Sequence, residues 1–167
     1  MNTVIILAAG NSNRFGGDIP KQFIRIKNHY IIDFSISTFE KINDIDEIII
    51  VVSKEYYSFA KKKYPKHTIV LGGSTRKKSS YNGLLACDKN TKKVLIHDSA
   101  RPLISEDLIM SCIKELDNYN AVTLAISLKD TIAVVEENSI VRIDDREALR
   151  AVQTPQGFNF KRIIKAH

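Results

Sequence analysis

The sequence predicts an α/β fold in which a mostly parallel, doubly wound sheet carries a projecting β-hairpin arm. Short β-branched apolar runs recur at residues 3–7, 47–52, 68–71, 93–97 and 121–126, separated by segments of helical periodicity. Such runs are apolar at consecutive positions, the pattern of strands buried on both faces, and their alternation with helices argues for parallel crossovers. After Asp130 the pattern changes to two short runs, 131–135 and 140–143, around the polar turn Glu136-Glu137-Asn138-Ser139.

Each element has its own justification. Ile31, Ile32, Ser35, Ile36 and Phe39 keep one face of a helix apolar, and Leu84 and Leu85 are expected to do the same for another near Tyr81. The Lys61-Lys62-Lys63 run reads as a solvated helix end. In the arm, Ile132, Val134 and Val141 would be an aggregation liability if uncovered, and the same arm of a second subunit is the most economical cover. A homodimer is therefore expected.

With 167 residues and 44% hydrophobic content, the chain suits a single domain with a sizeable core. Its apolar runs fall far short of the roughly 18–20 residues of a membrane span, and no cationic segment precedes an apolar one at the N-terminus. A cytoplasmic location is expected. Cys87 and Cys112 lack metal-ligand spacing and a disulfide-rich context, so both read as buried or incidental thiols. The net charge of +6 suits an anionic partner, either a phosphorylated small molecule or a nucleic acid.

The first strand empties into Ala8-Ala9-Gly10, followed by Arg14 and the pair Pro20-Lys21. Small residues let backbone approach a base or phosphate closely, and two separated cations suit a triphosphate. Two familiar phosphate loops are excluded. Phe15 stands where a P-loop needs its second glycine, and no Lys-Ser/Thr follows; Ser12 occupies the second glycine position of the dinucleotide fingerprint. Four further clusters are expected at strand ends, where open α/β sheets bind ligands. They are Gly72-Gly73-Ser74-Thr75-Arg76 with Ser79, His97-Asp98-Ser99-Ala100-Arg101-Pro102, Lys129-Asp130-Thr131, and Asp145-Arg146 with Gln153-Thr154-Pro155-Gln156.

In that order and over the whole chain, these segments resemble the 4-diphosphocytidyl-2-C-methylerythritol synthases, the cytidylyltransferases of the non-mevalonate isoprenoid pathway. The resemblance implies a Rossmann-like nucleotidyltransferase domain over residues 1–167, with a dimerisation arm at approximately 130–150. It also implies a reaction in which the phosphate of a sugar alcohol, 2-C-methyl-D-erythritol 4-phosphate, attacks the α-phosphorus of CTP and expels pyrophosphate. Both partners are anionic, so catalysis should consist mainly of positioning and charge neutralisation.

By that resemblance Arg14 and Lys21 are the catalytic triphosphate-binding cations, and Ala8, Ala9, Gly10, Gly73 and Ser79 contact cytosine and ribose. Asp98 matches the carboxylate beside ribose, metal and acceptor, and is the candidate ligand for Mg²⁺ or another divalent cation. One strand-end carboxylate plus phosphate oxygens suits that ion. An ion pair with Arg101 or a turn cap is the structural alternative for Asp98. Thr131 and Arg146 match binders of the acceptor phosphate that reach across the family's dimer, and a planar guanidinium can hold two phosphate oxygens. A bridge to Asp144 or Asp145 is the alternative for Arg146. His97 reads as a packed strand-end residue, because an ionised phosphate needs no base. Ser74 stands where some relatives carry an acidic residue.

The family's pattern continues beyond His167 with further acceptor and metal contacts, and a fragment of a longer enzyme is expected. Three other readings are open at this level. One is ribitol-5-phosphate cytidylyltransferase, which shares fold, loop and arm; Asn82-Gly83-Leu84 and Asp145-Arg146 favour the methylerythritol branch. Another is a CTP-binding or dimerisation fragment without turnover. The third, a basic nucleic-acid-binding module, lacks aromatic platforms interleaved with its lysines.

Overall fold

The computed structural model describes residues 1–10 and 19–167. Six strands form the main sheet in the order β5-β4-β1-β6-β10-β7. They are β1 (Asn2–Ala8), β4 (Glu47–Val52), β5 (Thr68–Leu71), β6 (Lys93–Asp98), β7 (Ala121–Ser127) and β10 (Arg150–Asn159). β5, β4, β1 and β6 pair in parallel, whereas β10 runs antiparallel to both of its neighbours. A small ribbon of β2 (Arg25–Ile26) and β3 (His29–Tyr30) follows the first loop, and β8 (Ala133–Glu136) pairs with β9 (Ser139–Ile143) to form the arm.

Among the described residues the α-helices are α1 (Ile31–Glu40), α2 (Tyr57–Lys63), α3 (Arg76–Leu85), α4 (Glu106–Glu115) and α5 (Phe160–Ala166). Alternate residues of β1 serve opposite faces, which is why the strand reads as a continuous apolar run. Val4, Ile6 and Ala8 pack in one cluster with Ile32, Ile36 and Phe39 of α1 and Ile109 and Cys112 of α4. Ile5 and Leu7 pack in a second with Leu84 of α3 and Ile163 and Ile164 of α5. Both faces are thus covered, as a doubly wound sheet requires. Gly83 lets α3 lie against the sheet, because a Cβ there would sit 2.6 Å from Ile5 Cγ2.

Two expectations need correction. Leu85 is 62% exposed while Leu84 is buried, because adjacent helical residues point about 100° apart and only one can face this sheet. The Gln153-Thr154-Pro155-Gln156 cluster lies inside β10, not at a strand end. It occupies an irregularity in the β10–β7 ladder between Val152 and Gln156, and the Thr154–Pro155 peptide is cis. Proline lacks the N–H a ladder needs, so it fits where pairing is interrupted. In the arm, Val135, Ile140, Val141 and Ile143 are exposed and Val134 is half-buried. Its turn places Glu137 and Asn138 at φ 48° and 65°, the positive values that a tight two-residue hairpin turn requires.

Candidate active site

Parallel pairing brings the ends of β1, β4, β5 and β6 to one edge. Ala8 lies level with Val52, Val52 with Leu71, and Leu7 with Asp98. The segments that follow these strands therefore meet. Gly72 donates from its backbone to Val52 O (2.8 Å), and Ser99 donates through both N–H (3.0 Å) and Oγ (2.7 Å) to Leu7 O. A Cβ at Gly72 would collide with that of Ala9, so the second segment touches the first through missing side chains. At Gly10 nothing described lies within 4 Å of where a Cβ would project.

Ser79, buried on the first turns of α3, accepts a hydrogen bond from Gly73 N (3.1 Å). The helix begins cleanly there because Thr75 caps it, its hydroxyl accepting from Lys78 N. Ala8, Ala9, Gly10, Gly73 and Ser79 thus share one edge of the sheet. Lys21 opens a short 3-10 turn, Lys21–Phe23, that joins this group through its neighbour: Gln22 donates from Nε2 to Ala8 O and to Gly10 O, each at 2.8 Å. Arg14 lies outside the described residues.

Asp98, the last residue of β6, faces two guanidinium groups. Arg76 Nε stands 3.0 Å from Oδ1 and Arg101 Nε 3.6 Å from Oδ2. Both arginines are also held by neutral amides, Arg76 by Gln156 Oε1 (3.2 Å) and Arg101 by Gln153 Oε1. The expected alternative of an Asp98–Arg101 pair is thus present, but the closer partner is Arg76. Among the described residues no group of three or more His, Cys, Asp or Glu side chains gathers as a metal cage. A single carboxylate, one-third exposed, still fits Mg²⁺, which takes few protein carboxylates and completes its shell with phosphate oxygens and water.

Beneath Asp98, His97 is fully buried and fixed at both ring nitrogens. Nε2 lies 3.2 Å from Arg101 O, and since a carbonyl only accepts, that nitrogen carries the proton; Nδ1 then accepts from the Thr154 hydroxyl at 3.1 Å. The hydroxyl oxygen in turn accepts from Asp98 N at 3.2 Å. Burial pushes the imidazole pKa down to about 4, so the ring is neutral at physiological pH. Burial, with the charge of Glu47, pushes the Cys87 thiol up to about 12, which keeps it from acting as a nucleophile; Cys112 is buried too.

Thr131 and Arg146 lie at the base of the arm. Thr131 is exposed just before β8, and Arg146 Nη1 donates to Lys129 O (3.3 Å), two residues from Thr131. Asp144 pairs with Arg142 at 2.8 Å. Arg76, Gln153 and Gln156 stand in the sequence clusters without an assigned task, and Gln22 stands outside them. Their spacing along the chain carries no sign that Arg76 meets Asp98, since that contact joins α3 to β6.

Small-residue segments gathered at the ends of parallel strands, beside Lys21 and one carboxylate, fit the nucleotidyltransferase class of α/β proteins. The chain belongs to the IspD family, 2-C-methyl-D-erythritol 4-phosphate cytidylyltransferase, whose model matches residues 2–167. It is similar to the cytidylyltransferase of that name from Clostridioides difficile, with 38% identity across 100% of this chain and 73% of the relative. The Clostridium tetani relative is 40% identical over 99% of this chain and 70% of its own length. Among solved structures, the 4-diphosphocytidyl-2C-methyl-D-erythritol synthase of Anaerococcus prevotii superposes with a TM-score of 0.85 at 30% identity, covering 98% of this chain and 72% of that one. The chain is accordingly an enzyme that transfers a cytidylyl group from CTP to 2-C-methyl-D-erythritol 4-phosphate in isoprenoid biosynthesis, with release of pyrophosphate. The family match favours this acceptor over ribitol 5-phosphate.

Proposed function

We propose that Arg14 and Lys21 are the catalytic cations of this reaction. In this reading Ala8, Ala9, Gly10, Gly73 and Ser79 receive the cytidine, Asp98 holds the divalent cation, and Thr131 and Arg146 hold the acceptor phosphate. The observation that carries this reading is the junction of the three nucleotide segments on one sheet edge, with Gln22 bonding the Lys21 turn to Ala8 and Gly10. Among the described residues nothing stands within 4 Å of where a Cβ at Gly10 would project, which suits the approach of a ligand ring.

The acceptor's phosphate oxygen forms a bond to the α-phosphorus of CTP while the bond to the bridging oxygen of the β-phosphate breaks, and pyrophosphate leaves with that electron pair. No proton need be removed from an ionised phosphate, and His97, neutral and sealed beneath Asp98, does not serve as a base. Lys21 and Arg14 offset the negative charge that gathers around the α-phosphorus in the transition state. Asp98 would hold Mg²⁺ or a similar cation, which when bound neutralises phosphate charge. Arg76 and Arg101 already compete for both carboxylate oxygens, so they must share Asp98 with the ion.

The exposed apolar side chains of the arm, including Ile140 (64%) and Ile143 (60%), support a homodimer in which each arm covers its counterpart. Free thiols at Cys87 and Cys112 suit the reducing cytoplasm. Pyrophosphate release with CTP and each acceptor tests the assignment. Lys21→Ala and Arg14→Ala should each slow turnover by about 10²-fold or more. Near-normal rates in either variant would remove that residue from the chemistry.

A further inference from the structure

Gln22 is a polar side chain only 4% exposed, one residue after Lys21. Its carboxamide nitrogen carries two protons, and both go to backbone oxygens of the nucleotide segment, Ala8 O and Gly10 O, at 2.8 Å each. Ala8 is the last residue of β1 and is held in register with Val52, so the amide ties the turn to a fixed point of the sheet. On its other side the turn is held by Phe23, whose ring stacks on Tyr56 (4.0 Å, 2° between planes) and meets Phe59 edge-on at 5.9 Å. The backbone bond from Phe23 N to Pro20 O (2.8 Å) closes the turn around Lys21.

We infer that Gln22 is a positioning residue: it sets the separation between the Ala8–Gly10 backbone and Lys21, and so matches the cytidine contacts to the triphosphate charge. This rests on the reading of Lys21 as a triphosphate-binding cation. Few side chains can replace it. Glutamate is almost isosteric but would turn a carboxylate toward two carbonyl oxygens; methionine fills the same volume and donates nothing; asparagine is one methylene short. A merely structural amide would be expected to affect both substrates alike, whereas both hydrogen bonds that this one donates go to the nucleotide segment.

The test combines Gln22→Met and Gln22→Glu with Lys21→Ala in the enzyme. Gln22→Met should reduce kcat/KM for CTP by about 30-fold, and Gln22→Glu by more, with the acceptor KM within about twofold of normal. Melting temperature and near-ultraviolet circular dichroism establish that each variant is folded. On the Lys21→Ala background the same Gln22→Met change should cost less than about threefold, because a residue acting through Lys21 has nothing left to position. Equal losses with and without Lys21, equal losses for both substrates, or an unchanged kcat/KM for CTP would each overturn the positioning role. Near-normal turnover of Lys21→Ala alone would instead defeat the reading of Lys21 on which the inference stands.

Discussion

Arg76 and Asp98 meet at 3.0 Å across the gap between the start of α3 and the end of β6, joining the segment that carries Gly73 and Ser79 to the one that carries the candidate metal ligand. Their side chains are 50% and 32% exposed, so solvent screening leaves the pair worth no more than about 1 kcal/mol of stability. Its importance lies in occupancy of the carboxylate. In Arg76→Ala, Asp98 Oδ1 loses its competitor, and the Mg²⁺ concentration for half-maximal activity should fall by about threefold or more while the melting temperature moves by no more than a few degrees. Titration of activity with Mg²⁺ checks this; a rise in the half-saturating concentration would mean that Arg76 assists the ion.

Arg146 lies at the base of the arm, and its described hydrogen bond is to Lys129 O. Arg146→Ala should raise the acceptor KM by about 10-fold or more and leave CTP affinity nearly unchanged. Steady-state kinetics with each substrate varied in turn separates the two. Parallel losses would indicate a folding defect of the arm.

Gly83→Ala sets two known effects against each other. Alanine is about 1 kcal/mol better than glycine in a helix, but overpacking costs about 1–3 kcal/mol. The added methyl would lie 2.6 Å from Ile5 Cγ2 and 3.2 Å from Val51 Cγ2, both in buried strands that cannot easily yield. Packing should win, with a net loss of about 1–2 kcal/mol and a melting temperature lower by several degrees. Thermal unfolding measures it.

His97 gives the fold a defined response to acid. Its pKa is about 4 in the folded chain against an ordinary 6.5, so the unfolded chain binds the proton more readily. The stabilisation is complete above pH 6.5 and is lost as pH falls from there toward 4, amounting to about 3 kcal/mol in all. Urea unfolding at a series of pH values should show wild-type stability falling through that window. His97→Gln, which has no titrating ring, should show a flatter profile.

The β1, β4 and β6 strands were legible because burial on both faces leaves an unbroken apolar run, as in Ile48 to Val52. β10 was not. Its middle reads Gln153-Thr154-Pro155-Gln156, polar and interrupted by proline, and its polar side chains hold Arg101, Asp98 N and Arg76. Local pattern cannot reveal a strand whose partners are supplied by β6 and β7. That Ala8, Gly10 and Gly73 gather at one sheet edge was legible because each stands at or just after the end of a parallel strand. Gln22 was hidden for the opposite reason: a glutamine beside a lysine has the profile of a solvated surface, and only the fold shows its amide turned inward to two carbonyls. Arg14 stands outside the described residues.

β10 is wedged between β6 and β7 and paired on both sides, four residues after Arg146. A strand gripped along both edges cannot slide by one position without turning every side chain to the opposite face. It therefore works as a ruler: Gln156 to Phe158 are fixed in register on both sides, and Thr154, just before them, is set where its hydroxyl meets Asp98 N. Side chains of the hairpin can therefore change without moving the register that sets the Asp98 end.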